Sequence, residues 1–289
     1  MSKSEDKTRF NTSAKPNWCP GCGNFGIHTA LKKALLKLEL EPHQVILTSG
    51  IGCSSKIPHW ANVYGLHGLH GRTLPLAAGI KLANSDLTVI AEGGDGDAFS
   101  EGMGHFVHAC RRNINFTYIV HNNGVFALTT GQTSTTGKQG FISSSTPSGS
   151  IEMPFSPAAL AIASGATFVA VGYSGDTMQL SDMIAKGIEH RGFSLINIMQ
   201  ICVSFNPKRN YKWYKERIYK LESENHESTD REKALNVALA LNEDRLPTGV
   251  FYQRKQAVYE DSLPQIKELP LVKHDIGSIG IDGLMADFV

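Results

Sequence analysis

The chain has 289 residues, of which 41% are hydrophobic and 19% charged, and its formal net charge is +1. The near-neutral charge gives no sign of a nucleic-acid partner, and no apolar run approaches the roughly 20 residues needed to cross a bilayer. The opening stretch "MSKSEDKTRFNTSAKP" lacks the apolar segment of a secretion signal, so we expect a cytoplasmic protein without a membrane partner.

The first predicted element is a helix within residues 23–40, whose apolar residues recur at helical spacing. Strands are predicted at 44–49, 86–92, 114–121, 167–173 and 193–201. Further helices are predicted at 73–84, along the apolar stripe 99–110, at 155–165 and at 177–190. This alternation predicts an α/β fold, in which a mostly parallel sheet carries helices on both faces.

Two stretches lack this alternation. Residues 129–155 are rich in Gly, Ser and Thr, and loops of this length in compact domains are usually functional or disordered. Beyond residue 206 the chain becomes charged and loses clear pattern, which favours a C-terminal arm over a second catalytic domain. We therefore predict a flexible arm at 1–15, the main domain at 16–206, and a C-terminal extension at 207–289 that contacts another subunit.

The stretch "GGDGD" places Asp95 between glycines at the end of one predicted strand, and Asn122 and Asn123 follow the next strand. Because ligands of parallel sheets bind at the carboxyl ends of the strands, Asp95 and Asn123 are expected to face one site. Their oxygens suit Mg²⁺, and the glycine amides before a helix suit a phosphate. The combined pattern resembles the thiamine diphosphate motif, although "GGDGD" alone is equally compatible with a plain turn.

The five cysteines of a cytoplasmic protein favour metal or redox roles over disulfides. Cys19, Cys22, Cys53 and Cys202 lie at a helix start or at strand ends, so they can converge on one edge of the sheet. Four such thiolates hold either zinc or an iron–sulfur cluster, and the cysteines alone leave both open. Cys110 lies on an apolar helical stripe and is expected to be a small buried hydrophobe.

Eight stretches in order between Trp18 and Pro207 resemble the β subunit of 2-oxoacid:ferredoxin oxidoreductases. They are "WCPGCGNFG", "SGIGCSS", "HGLHGR", "AAGIKLAN", "GGDGD", "HACRRNI", "NNGVFALTTGQTS" and "ICVSFNP". The resemblance implies that the main domain is of the thiamine diphosphate-binding (PP) type and also carries a [4Fe-4S] cluster.

The resemblance also implies roles for individual residues. The cluster ligands would be Cys19, Cys22, Cys53 and Cys202. The Mg²⁺ ligands would be Asp95, Asn123 and the carbonyl of Val125. The residues that line thiamine diphosphate would be Ile51, Gly52, Cys53, Ser54, His70, Gly94, Gly96, Asp97, Ala127 and Leu128. His70 and Lys56 are the candidate catalytic residues.

The implied activity is the coenzyme A-dependent oxidative decarboxylation of a 2-oxoacid, pyruvate or 2-oxoglutarate, to acyl-CoA and CO₂. Electrons would pass through one [4Fe-4S] cluster to ferredoxin. A partner α subunit, or a fused αγ subunit, would supply the pyrimidine-binding domain in an αβ or (αβ)₂ assembly. The chain departs from the family at Phe126 and Ala127, where Tyr-Gly is commoner, and at Thr130, where some members carry Lys.

Two alternatives remain at this point. One is a subunit of a non-redox thiamine diphosphate decarboxylase or synthase whose cysteines bind a structural zinc. The other is a zinc-stabilised nucleotide-binding or scaffold module without catalysis.

Overall fold

The computed structural model describes residues 8–240, 243–275, 277 and 280–286. The helices are α1 (Asn24–Lys37), α2 (Thr73–Ala83), α3 (Met103–Arg112), α4 (Pro157–Ala163), α5 (Thr177–Glu189), α6 (Tyr211–Lys215), α7 (Arg231–Leu239) and α8 (Asp282–Ala286). The strands are β1 (Val45–Ser49), β2 (Tyr64–His67), β3 (Thr88–Gly94), β4 (Thr117–Asn122), β5 (Val125–Phe126), β6 (Gln132–Thr133), β7 (Phe168–Tyr173), β8 (Ser194–Met199), β9 (Ile218–Lys220) and β10 (Leu246–Gln253).

Eight of these strands form one sheet in the order β2-β1-β3-β4-β8-β7-β10-β9, and β5 pairs with β6 separately. Six neighbouring strands of this sheet run parallel, namely β2, β1, β3, β4, β8 and β7. Strand β10 is antiparallel to β7. All five predicted strands and all five predicted helices are present. The predicted α/β class with a mostly parallel sheet is therefore confirmed.

Side chains of the central strands alternate between two apolar cores, one on each face of the sheet. On β4, Tyr118 and Val120 belong to what we call the first core, and Ile119 belongs to the second core on the opposite face. Helices α1 and α5 cover the second core, whereas α2, α3, α4 and α7 cover the first. Cys110 is fully buried in the first core, as predicted, and its burial raises the pKa of the thiol far above its usual range.

Parts of both predicted terminal regions pack against the main domain. Phe10, within the predicted flexible arm, is 1% exposed and packs in the second core. Strand β10 lies in the predicted extension but pairs with β7, because its apolar residues Val250 to Tyr252 continue the sheet despite Pro247 and Gly249. Residues 1–7 of the arm and 241–242, 276, 278–279 and 287–289 of the extension lie outside the described residues, and the proposed region boundaries stay predictions.

No helix within the described ranges is both long and apolar enough to span a bilayer.

Two helical glycines give a matched test of how tightly α1 is packed. A Cβ at Gly26 would overlap the carbonyl oxygen of Ser174, whereas a Cβ at Gly79 on α2 would meet nothing within 4 Å. We expect Gly26→Ala to destabilise the fold by about 1–3 kcal/mol, because the backbone would have to move. Gly79→Ala should instead stabilise it by roughly 0.5–1 kcal/mol. Urea unfolding monitored by circular dichroism measures both, and equal midpoints for the two variants would contradict the packing.

Candidate cofactor site

The predicted cofactor residues converge on one cavity at the carboxyl ends of β1, β3 and β4. All ten line it: Ile51, Gly52, Cys53, Ser54, His70, Gly94, Gly96, Asp97, Ala127 and Leu128. Asn123 and Val125 line it too, as do Phe126 and Thr129. The cavity measures ≈ 30 Å³, so the chain by itself encloses far less space than a ligand of cofactor size occupies. We refer to it as the first cavity.

Asp97 ties together three loops around this cavity. Its Oδ1 accepts hydrogen bonds from the backbone N–H groups of Ile51 (3.0 Å) and Gly71 (2.9 Å), and it also contacts Nδ1 of His70 at 2.9 Å. Burial raises the pKa of Asp97, and the Ile51 N–H group opposes that rise. With Nδ1 of His70 directed at the carboxylate, Nε2 is the ring nitrogen left for a ligand.

Asp95 lies behind the cavity wall and is fully buried. Its carboxylate accepts hydrogen bonds from the backbone N–H groups of Asn123 (3.2 Å) and Gly124 (3.1 Å) and from the hydroxyl groups of Thr136 (2.7 Å) and Ser134. The aspartate and asparagine loop tips therefore meet, as the sequence predicts. Burial raises the pKa of Asp95, and no basic side chain in the part of the chain that the structure describes pairs with it.

One of the two glycines beside Asp95 is required by a close contact. A Cβ at Gly96 would lie 2.6 Å from the ring of Phe126, whereas one at Gly94 would make an ordinary contact of 3.4 Å with Oγ of Ser54. Gly52 adopts φ +134°, a conformation that other residues rarely take. The hydroxyl of Ser54 is buried and has no hydrogen-bond partner among the described residues, so it is available to a bound molecule.

The four predicted cluster cysteines line a second cavity of ≈ 230 Å³, beside the first. Cys53, Asn123, Ala127 and Leu128 line both cavities. Burial raises the pKa of Cys22 to about 11 and also raises that of Cys53. Within the described ranges, no three His, Cys, Asp or Glu side chains are placed to hold a single metal ion. The thiols thus surround a space instead of meeting at a point.

Hydrogen-bond donors reach three of these thiols. Ser204 donates its hydroxyl to Cys19 (3.2 Å), the side chain of Gln200 donates to Cys22 (3.3 Å), and the backbone N–H of Phe205 reaches Cys202 (3.4 Å). These bonds stabilise negative charge on sulfur, which is the form that binds metal.

The two candidate catalytic residues lie at different cavities. His70 lines the first cavity, whereas Lys56 lines the second and donates a hydrogen bond to Asn17 at 3.4 Å. Burial dominates the pKa of Cys53, but the positive charge of Lys56 opposes the rise. Lys56 is therefore placed to act on the thiols more directly than on a molecule in the first cavity.

Sequence reasoning missed a buried polar chain in the wall of the first cavity, which its members Asn24 and His121 line. His121 on β4 contacts Oε2 of Glu92 on β3 at 2.7 Å and Oδ1 of Asn24 on α1 at 2.9 Å. Burial raises the pKa of Glu92. The sequence offers one signal for this polar chain: a glutamate inside the apolar run "TVIAEGG" is unusual for a central strand. Gln200 was also missed, since a lone glutamine after a strand carries no pattern.

Comparisons with known proteins bear on the family and the fold of this chain. A sequence model of the C-terminal TPP-binding domain of thiamine pyrophosphate enzymes matches residues 47–198, and one of the C-terminal part of the pyruvate ferredoxin oxidoreductase beta subunit matches residues 202–268. A 2-oxoacid:ferredoxin oxidoreductase subunit beta from Saccharolobus solfataricus is 45% identical over 261 residues, which is 86% of each chain. One from Aeropyrum pernix is 43% identical over 89% of this chain and 84% of its own.

A solved structure has the same fold. It is a 2-oxoglutarate:ferredoxin oxidoreductase from Magnetococcus marinus with 2-oxoglutarate, coenzyme A and succinyl-CoA bound, and it superposes with a TM-score of 0.90 at 32% identity over 98% of this chain and 96% of that one. This likeness extends through the C-terminal region as well as the main domain. The chain therefore belongs to the family of 2-oxoacid:ferredoxin oxidoreductase β subunits, as its motifs predict.

Proposed function

We propose that this β subunit binds thiamine diphosphate through Mg²⁺ in the first cavity and one [4Fe-4S] cluster in the second. With a partner α subunit, or a fused αγ subunit, it would convert a 2-oxoacid and coenzyme A to acyl-CoA and CO₂ and pass the electrons to ferredoxin. The observation that carries this proposal is the shared wall, because Cys53, Asn123, Ala127 and Leu128 line both cavities. A cluster in the second cavity would then lie directly beside thiamine diphosphate in the first, where it could accept electrons.

The residues around Asp95 fit a divalent cation. A fully buried carboxylate without a basic partner among the described residues is costly unless a cation or a proton neutralises it. Asn123 and Val125 at the adjoining wall add an amide oxygen and a backbone carbonyl, which completes an all-oxygen donor set of the kind Mg²⁺ prefers. The unpartnered hydroxyl of Ser54 and the backbone at Gly94 and Gly96 would receive the diphosphate.

Bound thiamine diphosphate supplies the carbon nucleophile and the electron sink that 2-oxoacid decarboxylation needs. This chain's part is to orient and shield that group. Asp97 holds the loops that carry Ile51, His70 and Gly71, and it sets the ring of His70 so that Nε2 can exchange a proton with a bound molecule.

The residues of the second cavity fit a polynuclear cluster better than a single ion. Zinc would need its sulfur ligands about 2.3 Å from one point, whereas the four thiols lie in the wall of a cavity of ≈ 230 Å³ and no three of the described His, Cys, Asp or Glu side chains are placed to hold one ion. Hydrogen bonds to Cys19, Cys22 and Cys202 are the kind of contact that tunes cluster potential. We therefore favour the [4Fe-4S] cluster over the structural zinc of the non-redox alternative.

The small size of the first cavity supports the proposal of a partner subunit. The relatives are named as β subunits and this chain encloses only ≈ 30 Å³ there, so we propose that a second protein surface covers a bound cofactor, in an αβ or (αβ)₂ assembly. Relatives are named for 2-oxoacids in general, and the structural neighbour holds 2-oxoglutarate and coenzyme A. We propose 2-oxoglutarate or pyruvate as substrate, and the cytoplasm as the site of action.

The decisive experiment is anaerobic co-purification of this chain with its α subunit. Iron, acid-labile sulfide, zinc and thiamine diphosphate are then quantified, and pyruvate and 2-oxoglutarate are compared with coenzyme A and an artificial electron acceptor. We expect about four irons and four sulfides per β subunit. Zinc in place of iron would support the non-redox decarboxylase, and absence of thiamine diphosphate binding would support the scaffold alternative.

Replacement of His70 tests its assigned role. His70→Ala in the complex should lower kcat about 10²-fold, because a positioned proton donor or acceptor typically contributes at least that much. His59→Ala is the matched control. His59 is exposed, its Nε2 lies 2.9 Å from Nδ1 of His67, and neither histidine lines the first cavity. Steady-state kinetics with saturating thiamine diphosphate provide the measurement. Equal kcat for the two variants would exclude a catalytic role for His70.

A further inference from the structure

Gln200 lies between the two proposed centres and is 2% exposed. It follows β8, where its backbone N–H donates to the carbonyl oxygen of Asn122 at 2.8 Å. Its side-chain nitrogen donates to Sγ of Cys22 (3.3 Å) and to the carbonyl oxygen of Ile201 (2.7 Å). Its side-chain oxygen accepts from Nδ2 of Asn123 at 2.7 Å.

These contacts fix which way the amide of Gln200 points. If it were turned over, the oxygen would face the sulfur of Cys22 and the carbonyl of Ile201, and the nitrogen would face the NH₂ group of Asn123. The hydrogen bonds with Ile201 and Asn123 would then be lost in a buried place, which is unfavourable. The direction of donation therefore runs from Asn123 through Gln200 to Cys22.

The orientation of the Asn123 side chain, at the other end of this series of hydrogen bonds, is fixed as well. Oδ1 of Asn123 accepts from the backbone N–H of Val125 at 2.9 Å, and the backbone N–H of Asn123 donates to Asp95 at 3.2 Å. The backbone carbonyl of Asn123 accepts from the side chain of Asn206 at 2.9 Å, so the amide oxygen of Asn123 is the atom left for a cation. The same side chain thus touches the proposed Mg²⁺ site at one end and the bridge to a cluster thiol at the other.

We propose that the side chains Asn123, Gln200 and Cys22 form a hydrogen-bonded bridge through which occupancy of the thiamine diphosphate site changes the reduction potential of the cluster. This inference rests on the proposed function, since both centres belong to it. A cation on the oxygen of Asn123 draws electron density from its amide and makes the NH₂ group a stronger donor. Gln200 is polarised in turn, as hydrogen bonds in a buried chain reinforce one another.

The consequence for the cluster has a definite sign. A stronger N–H donor at Cys22 stabilises the extra negative charge of the reduced cluster, so the midpoint potential rises when Mg²⁺ and thiamine diphosphate bind. Because coupling between two sites is reciprocal, the reduced subunit should also bind the cofactor more tightly than the oxidised one. Gln200 acts here as a positioning residue and contacts no substrate.

The test is a redox titration of the purified αβ complex, followed by electron paramagnetic resonance, with and without Mg²⁺ and thiamine diphosphate. Wild type should show a cofactor-dependent rise of the cluster midpoint potential. Gln200→Met, which has similar length but no donor, should lower the potential and lose that rise. Gln200→Leu is made alongside in case one apolar side chain packs poorly.

Ser204→Ala is the matched control. Ser204 donates a hydrogen bond to Cys19 at 3.2 Å, so its loss should also lower the potential, but the cofactor-dependent rise should remain because the bridge to Asn123 is intact. A full rise in both Gln200 variants would show that the centres sense each other through space, and no rise in loaded wild type would equally overturn the bridge. A complex that lacks iron or does not bind thiamine diphosphate would instead overturn the proposed function itself.

Discussion

Asp95→Asn is expected to abolish binding of thiamine diphosphate at ordinary concentrations and, with it, turnover of 2-oxoacids by the complex. The carboxylate is fully buried, and within the described residues no basic side chain neutralises it. It is therefore the charge that would hold Mg²⁺. Removing one partner of a buried ionic contact costs roughly 3–5 kcal/mol, so the affinity should fall by about 10²-fold or more.

Asp95→Asn should leave the fold and the second cavity intact. Burial raises the pKa of Asp95 in the folded chain, so its ionised form opposes folding at pH values above that raised pKa. Without Mg²⁺ the asparagine variant should melt within a few degrees of wild type at neutral pH, because the buried charge is removed but the amide NH₂ leaves one backbone N–H group without an acceptor. Its iron content should equal that of wild type.

Calorimetric titration with thiamine diphosphate and Mg²⁺ measures the loss of affinity. Asp86→Asn is the control, because Asp86 forms an exposed ion pair with Lys273 and neither residue lines the first or the second cavity. This variant should bind the cofactor normally. Wild-type affinity in Asp95→Asn would exclude a metal-binding role for this residue.

Cys22→Ser is the second substitution with a large expected effect. A [4Fe-4S] cluster needs thiolate ligands, and a serine hydroxyl is a much weaker one at neutral pH. We expect loss of most iron, sulfide and visible absorbance from the purified complex, together with loss of electron transfer to ferredoxin. Thiamine diphosphate binding should persist, because neither Asp95 nor its hydrogen-bonding partners touch this thiol.

Cys110→Ala provides the control for that variant. Cys110 is the one cysteine outside the second cavity and lies buried in the first core, so its removal should cost about 1 kcal/mol of stability and no iron. Iron analysis and absorbance of the three proteins decide the matter. Full iron content in Cys22→Ser would mean that the cluster, if any, uses other ligands.

The Asp95 and Cys22 variants together test whether the two centres are separable. Each is expected to lose one cofactor and keep the other, although Cys53, Asn123, Ala127 and Leu128 line both cavities. Loss of both cofactors from either variant would indicate that the shared wall forms only when both cavities are filled.

Local pattern was sufficient for the secondary structure and for most candidate ligands. Strand and helix periods are read within a few residues, so β1, β3, β4, β7 and β8 and their helices were predicted from apolar spacing. Short or irregular strands were not, because β2 has the exposed sequence "YGLH" and β10 contains Pro247 and Gly249. Their place in the sheet depends on neighbours far along the chain.

The fold class, the family and a set of candidate ligands at the carboxyl edge of a parallel sheet can all be predicted from the amino-acid sequence, because they follow from short motifs and from the geometry common to all such sheets. How those residues share their partners becomes visible when the chain is folded. The tertiary structure sets Asp95 against Ser134 and Thr136, puts His70 and Lys56 at different cavities, and joins Asn123 to Cys22 through Gln200. Such contacts depend on the direction and depth of single side chains from distant segments, and periodicity and spacing along the chain do not encode either.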